Sequence, residues 1–244
     1  MRETIVRKVS LARALSKLGF SSRSQAAEII RDGKVTMNGN VITDPDRRCS
    51  LEHDRIAVDG VGVEEKELVY VLMNKPSGYV TTRSDELERK TIYDLLGSID
   101  EWIFPVGRLD KDTSGLLLLT NDHRLGEKLT NPASKIPKTY RVLLDRSLAD
   151  EHKRMMERGM ILDGEQLLPA RVRRVEGLSG AWFELIITEG KNRQIRRMCS
   201  TLGYEVRELI RVAIGGLQLT GLKPGEWKRL NRNQIALLSI QERS

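Results

Sequence analysis

The chain is poor in the residues that most often announce a mechanism. Two cysteines, Cys49 and Cys199, stand far apart in 244 residues, too few for a disulfide framework. They point instead to a reducing, cytoplasmic setting. The three histidines, His53, His123 and His152, are scattered without cysteine or carboxylate neighbours at ligand spacing, so no metal site is expected. No apolar run approaches the roughly 20 residues that span a bilayer. The basic opening stretch "MRETIVRKVSLARALSKLG" never builds the apolar core of a signal peptide. There is no Gly-Lys-Ser/Thr phosphate loop, and "GVGVEEKE" is not a dinucleotide fingerprint.

What remains is an ordinary globular composition, 39% hydrophobic and 31% charged. The length allows at least one good core and fits two domains. Forty-one Lys+Arg against 34 Asp+Glu leave a formal charge of +7 and a pI near 9.5. That balance favours contact with phosphates or an anionic membrane surface.

In "VSLARALSKLGF", Leu11, Leu15 and Leu18 share one helical face, with Gly19 placed to end the helix. In "SSRSQAAEIIRDGKV", Ser22 and Gln25 have capping-box spacing, Ala26, Ile29 and Ile30 form a second stripe, and Gly33 stops it. "VTMNGNVIT" alternates around Asn38-Gly39, a strong hairpin signal. Two short helices followed by a hairpin, in "LARALSKLGFSSRSQAAEIIRDGKVTMNG", resemble the S4 RNA-binding domain. Arg13, Lys17, Arg23, Arg31 and Lys34 lie off the apolar stripes; the resemblance makes them phosphate contacts rather than a solvated surface. Ser24 departs from the family, which often has a second arginine there. Asp59-Gly60 marks a turn, and the domains are divided as residues 1–62 and 63–244.

The second domain reads as α+β, with strands in irregular order among helices. "ELVYVLMNKPSG" is a strand running into a loop at Lys75-Pro76. "GLLLLTND" is a buried strand, because four consecutive leucines would cover every side of a helix. Asn121 or Asp122 can then cap a helix carrying Leu125 and Leu129, stopped before Pro132. "KTYRVLLD" and "AWFELIITE" are further strands, with a helix expected over 147–156 between them. In "EGKNRQIRRMCSTLGY", at about 100° per residue, Ile195, Met198, Cys199 and Leu202 gather on one helical side. Arg193, Arg196 and Arg197 gather opposite, either as a solvated face or as forks for phosphate or carboxylate.

"FPVGRLDKDTSGLLLLTND", "KTYRV" and "EGKNRQIRRM" resemble the three signature segments of the RsuA-type family of pseudouridine synthases. "NKPSG" and the S4-like region agree with that family in order, so the resemblance covers roughly residues 8–240. It implies a small S4-like αα-hairpin domain, then a larger mixed, mainly antiparallel sheet with flanking helices. The activity implied is conversion of a uridine in folded RNA to its C-glycoside isomer, without cofactor. The partner implied is ribosomal RNA, of the large subunit, or an assembly intermediate, with the enzyme a monomer away from membranes. The catalytic aspartate of the family falls on Asp110, its active-site tyrosine on Tyr140 and its partner arginine on Arg196.

A carboxylate in a basic chain then has a purpose. Breaking an N-glycosidic bond builds oxocarbenium-like charge on the sugar or demands a nucleophile, and an ionised carboxylate serves either need. Attack at C1′, attack at C6 and a glycal route all remain open. A guanidinium within about 4–6 Å typically lowers a carboxylate pKa by about 1–3, a role the resemblance assigns to Arg196. Tyr140 is expected to stack on the base. Because the uridine must leave its stack at a cost of a few kcal/mol, basic flanks are expected at Lys75, Arg108, Lys138, Arg193 and Arg197. Asp112 is read as loop structure bonding the Thr113 or Ser114 amides. Rival readings are a small-subunit or transfer RNA substrate, and a non-catalytic S4-type RNA-binding factor.

Overall fold

The computed structural model describes residues 8–239, apart from positions 65, 84, 98, 100 and 176. The chain divides into two units, one built from 1–69, 99–104 and 121–123, the other from 70–98, 105–120 and 124–244. Residues after 62 stay with the first unit through hydrogen bonds of their backbone N–H groups: Lys66 N donates to Leu18 O at 3.4 Å and Val69 N to the Asn121 side chain, at Oδ1, at 2.8 Å.

The first unit opens with α1 (Leu11–Lys17) and α2 (Arg23–Arg31). The capping box forms as expected: Gln25 N donates to Ser22 Oγ at 3.1 Å and Ser22 N to Gln25 Oε1 at 3.2 Å. Gly19 and Gly33 follow the helices with φ of 74° and 72°, the left-handed exit glycine makes easy. Strands β1 (Val35–Met37), β2 (Asn40–Ile42), β3 (Ile56–Val58) and β4 (Val61–Gly62) form a sheet in the order β2-β1-β3-β4. Asn38-Gly39 and Asp59-Gly60 all have positive φ, giving two tight hairpins. Leu11, Leu15, Ala26, Ile30, Val35 and Val58 bury together as the core. Each large aliphatic side chain among them contributes about 1.5–3 kcal/mol.

The second unit is a mixed sheet. Its strands are β5 (Tyr70–Lys75), β6 (Ser114–Thr120), β7 (Lys138–Leu144), β8 (Arg171–Arg174), β9 (Ala181–Ile187), β10 (Val206–Ile214) and β11 (Trp227–Arg229). Their order is β8-β9-β7-β10-β6-β5-β11, all antiparallel except β10 with β6. At that parallel junction Arg211 pairs with Gly115. A Cβ on Gly115 (φ +102°) would stand 2.2 Å from Arg211 O, so only glycine lets the two strands close. Leu116 to Leu119 are fully buried, as a strand with both faces covered requires.

Three helices lie between these strands in the chain: α3 (His123–Thr130), α4 (Asp150–Arg158) and α5 (Gln194–Thr201). Of the two residues expected to cap α3, Asn121 has its side chain turned to the segment before β5. It accepts from Val69 N at 2.8 Å and donates to Glu67 O at 2.9 Å, so it is spent on residues 67–69. Ile195, Met198 and Cys199 are buried along α5, with Leu202 packed at its end.

Candidate active site

Asp110 sits on the loop between Gly107 (φ 73°) and β6, on a turn closed by Thr113 N donating to Asp110 O at 3.0 Å. Its carboxylate is about one-third exposed, at 35%. The side chain lines a cavity of about 400 Å³ together with Arg108, Tyr140, Ile187, Arg193 and Leu209. Tyr140 stands on β7 opposite Leu185 of β9 and Arg211 of β10, half-buried.

Arg193 faces the Asp110 carboxylate: Nη1 lies 3.8 Å from Asp110 Oδ2. Arg193 is not on the face of α5. It is the residue before the helix, in a left-handed conformation at φ 46°, and this swings its side chain away from the row that helical spacing assigns it. Arg196, to which the resemblance assigned the place beside Asp110, still acts on Asp112 and Asp110 through its charge, but its hydrogen bonds go to backbone. Arg196 Nη2 donates to Asp112 O at 2.8 Å and Nη1 to Val206 O at 3.1 Å, so it ties the Asp110 loop to β10 through backbone. Arg197 is engaged elsewhere too, ion-paired with Asp163 and donating to Asn192 O. The three arginines thus do three different things.

The expectation for Lys75 is corrected. It is fully buried and cannot reach a phosphate. Its Nζ donates to Thr113 O at 2.8 Å, Pro76 O at 3.1 Å, Asp110 O at 3.1 Å and Lys111 O at 3.3 Å. The end of β5 is thereby stapled to the loop carrying the carboxylate. Burial pushes the ammonium down to about 8, against the pull of Asp110 and Asp112. Thr81, which no sequence pattern singles out, adds a second staple: Oγ1 donates to Leu109 O at 2.7 Å and accepts from Leu109 N at 3.3 Å. Of the two amides expected to bond the Asp112 carboxylate, that of Thr113 donates to Asp110 O.

Behind Arg193, the loop after β9 is braced by a buried polar pair. Gln194 Nε2 donates to Glu189 Oε1 at 2.7 Å, while Gln194 Oε1 accepts from Lys191 N at 3.0 Å. A buried glutamate and glutamine five residues apart are readable only once the fold brings them together. Lys138 lies half-buried on β7 opposite Ile187, and burial, then Arg211, lowers its pKa. Cys199 is fully buried on α5, and burial pushes its thiol up to about 12.

Arg108 is exposed at the mouth of the cavity. In the first unit Arg13, Arg23, Arg31 and Lys34 are surface residues and Lys17 is half-buried; Lys34 faces Asp32 at 3.4 Å. The site chemistry is that of an anionic oxygen held on a rigid loop beside a guanidinium and an aromatic wall. Such a set can stabilise or attack an electron-poor carbon next to a flat ring.

Comparison with known proteins gives a consistent picture. A family profile described as RNA pseudouridylate synthase matches residues 69–201, and an S4 domain profile matches residues 9–61. The chain is 37% identical to the ribosomal large subunit pseudouridine synthase B of Bacillus subtilis (strain 168), over 93% of this chain and 94% of that protein. It is 35% identical to the dual-specificity RNA pseudouridine synthase RluF of Shigella flexneri, over 93% of this chain and 77% of that one. A crystal structure of a pseudouridylate synthase superposes with a TM-score of 0.68 at 31% identity, covering 94% of this chain and 99% of the other.

Proposed function

This chain belongs to the RNA pseudouridylate synthase family, and we propose that it isomerises a uridine of large-subunit ribosomal RNA with Asp110 as the catalytic carboxylate. The observation that carries the reading is the Asp110 carboxylate in one 400 Å³ cavity with Tyr140, 3.8 Å from Arg193. The relative from Bacillus subtilis, named for the large ribosomal subunit and matched along nearly its whole length, supports the choice of substrate.

In the reaction the N1–C1′ bond breaks, the uracil turns, and a C5–C1′ bond forms. The C5 proton leaves and N1 gains one, so substrate and product are isomers. Asp110 bears on the step in which C1′ becomes electron-poor, and Arg193 stands beside its carboxylate. Tyr140 offers its ring to the face of the loose base while that base rotates. The cavity is sized for one flipped nucleoside, and Arg108 stands at its mouth for the flanking phosphate. One chain supplies every residue of this set, which fits action as a monomer.

The test is release of tritium from large-subunit ribosomal RNA labelled at uracil C5. Wild-type protein releases it; Asp110→Asn releases none while binding the same RNA with unchanged affinity. Equal release by Asp110→Asn rejects the assignment. Mapping pseudouridine across ribosomal RNA from cells lacking the protein identifies the nucleotide.

A further inference from the structure

A second cavity, of about 570 Å³, shares Arg108, Leu109, Asp110 and Arg193 with the first. Its remaining wall comes from residues 80–82 and 85–87 and Arg89 of one segment, together with Lys111. That segment carries Leu87, which at 72% exposure is the most exposed large apolar side chain among the described residues. A lone exposed leucine is ordinary on a protein surface. This one differs in being displayed by a braced turn.

The base of the segment is closed by Val80 N donating to Lys90 O at 2.9 Å and Ile92 N to Val80 O at 3.1 Å. Arg83 lies over the Tyr93 ring at 4.9 Å and Lys90 over the Tyr79 ring at 6.0 Å. The tip is organised around Asp85. Its carboxylate accepts from Leu87 N at 3.1 Å, Arg89 N at 3.0 Å, Arg89 Nε at 3.0 Å and Arg89 Nη2 at 2.6 Å. Glu88 completes the turn at φ 53°. The backbone on either side of Leu87 is thus tied to one carboxylate, a bracing that reduces the entropy lost on binding.

The chemistry of the walls matches a nucleotide. Arg89 is committed to Asp85. Arg108 and Lys111 are exposed and hold no ion pair among the described residues, which leaves two cations for a phosphate and one aliphatic surface for the face of a base. We propose that this cavity is a subsite for the nucleotide next to the target uridine, its base packed on Leu87 and its phosphate held by Arg108 and Lys111. The proposal rests on the function argued above and deepens it. Packing a neighbouring base on a rigid leucine also keeps the strand from closing over the gap left by the flipped uridine.

The experiment measures binding rather than turnover, so that it stands apart from the catalytic assignment. The probes are fluorescent hairpins bearing the uridine that wild-type protein modifies in the labelled transcript. One is intact; two carry an abasic nucleotide on the 5′ or the 3′ side of that uridine. In the Asp110→Asn background, adding Leu87→Ala weakens binding to the intact hairpin about tenfold. The same change has no effect on at least one abasic hairpin, and Leu87→Met restores affinity on the intact one. Unchanged affinity for the intact hairpin, or an equal loss on all three RNAs, overturns the subsite. Loss of tritium release by wild-type protein would instead strike the function beneath it.

Discussion

Arg193 Nη1 lies 3.8 Å from Asp110 Oδ2, while Arg196, three residues on, gives its guanidinium to the backbone oxygens of Asp112 and Val206. One arginine faces the carboxylate; the other holds the loop that presents it.

The two roles separate on substitution. Arg193→Ala is expected to lower turnover about tenfold to a hundredfold, the rate equivalent of about 1.4–2.7 kcal/mol, with the melting temperature nearly unchanged. Arg196→Ala is expected to lose turnover and also about 1.5–3 kcal/mol of stability, a drop of roughly 3–12 °C for a chain of this size. Tritium release and thermal unfolding on the same preparations check this. A normal melting temperature for Arg196→Ala with turnover abolished would return the pairing role to Arg196.

Lys75 makes the second prediction, in pH. Its folded pKa, about 8, lies below the ordinary 10.5. Between those values the unfolded chain keeps a proton that the folded chain has released, so this group makes stability rise with pH across that window. Turnover moves the other way. A neutral amine has two N–H groups for the four carbonyls around it, and the loop under Asp110 loosens. The rate is expected to fall through about pH 8 without a matching fall in unfolding free energy. Lys75→Met removes that limb of the profile and costs about 3 kcal/mol or more, since buried carbonyls are left without their donor. A flat rate from pH 7 to 9.5 in wild type (roughly the span around the shifted pKa) would dismiss the staple as a control on turnover.

The S4 domain makes the third. Arg23→Glu with Arg31→Glu should weaken binding to a ribosomal RNA transcript and flatten the plot of log affinity against log salt. The slope changes by about 0.7–0.9 for each phosphate that is no longer neutralised. Saturating turnover is unchanged. An unaltered slope between about 50 and 200 mM salt would assign RNA binding to other surfaces.

The local features of the fold are legible in the sequence because their causes are local. The Ser22–Gln25 capping box, the Asn38-Gly39 and Asp59-Gly60 turns, and the buried run Leu116–Leu119 all follow from neighbours in sequence. The inward stripe of α5 is legible for the same reason. A helical projection misplaces Arg193 because it assumes helical dihedrals, and this residue lies one position outside the helix at φ 46°. Lys75 resembles a surface cation in sequence because lysines usually are exposed. Three of its acceptors come from residues 110–113, nearly forty positions away, which no local pattern encodes. Thr81 gives no signal on the same account: its partner is the backbone of Leu109.

The order of the main sheet has a consequence for biosynthesis. Residues 114–120 and 138–144 precede in the chain the strand at 206–214 that lies between them and pairs with both. The middle strand is thus translated after the strands on either side of it, and the carboxylate and the tyrosine have no fixed spacing until it slots in. A nascent chain still short of Ile214 carries both groups and no working geometry, which delays catalysis until that strand has emerged and paired.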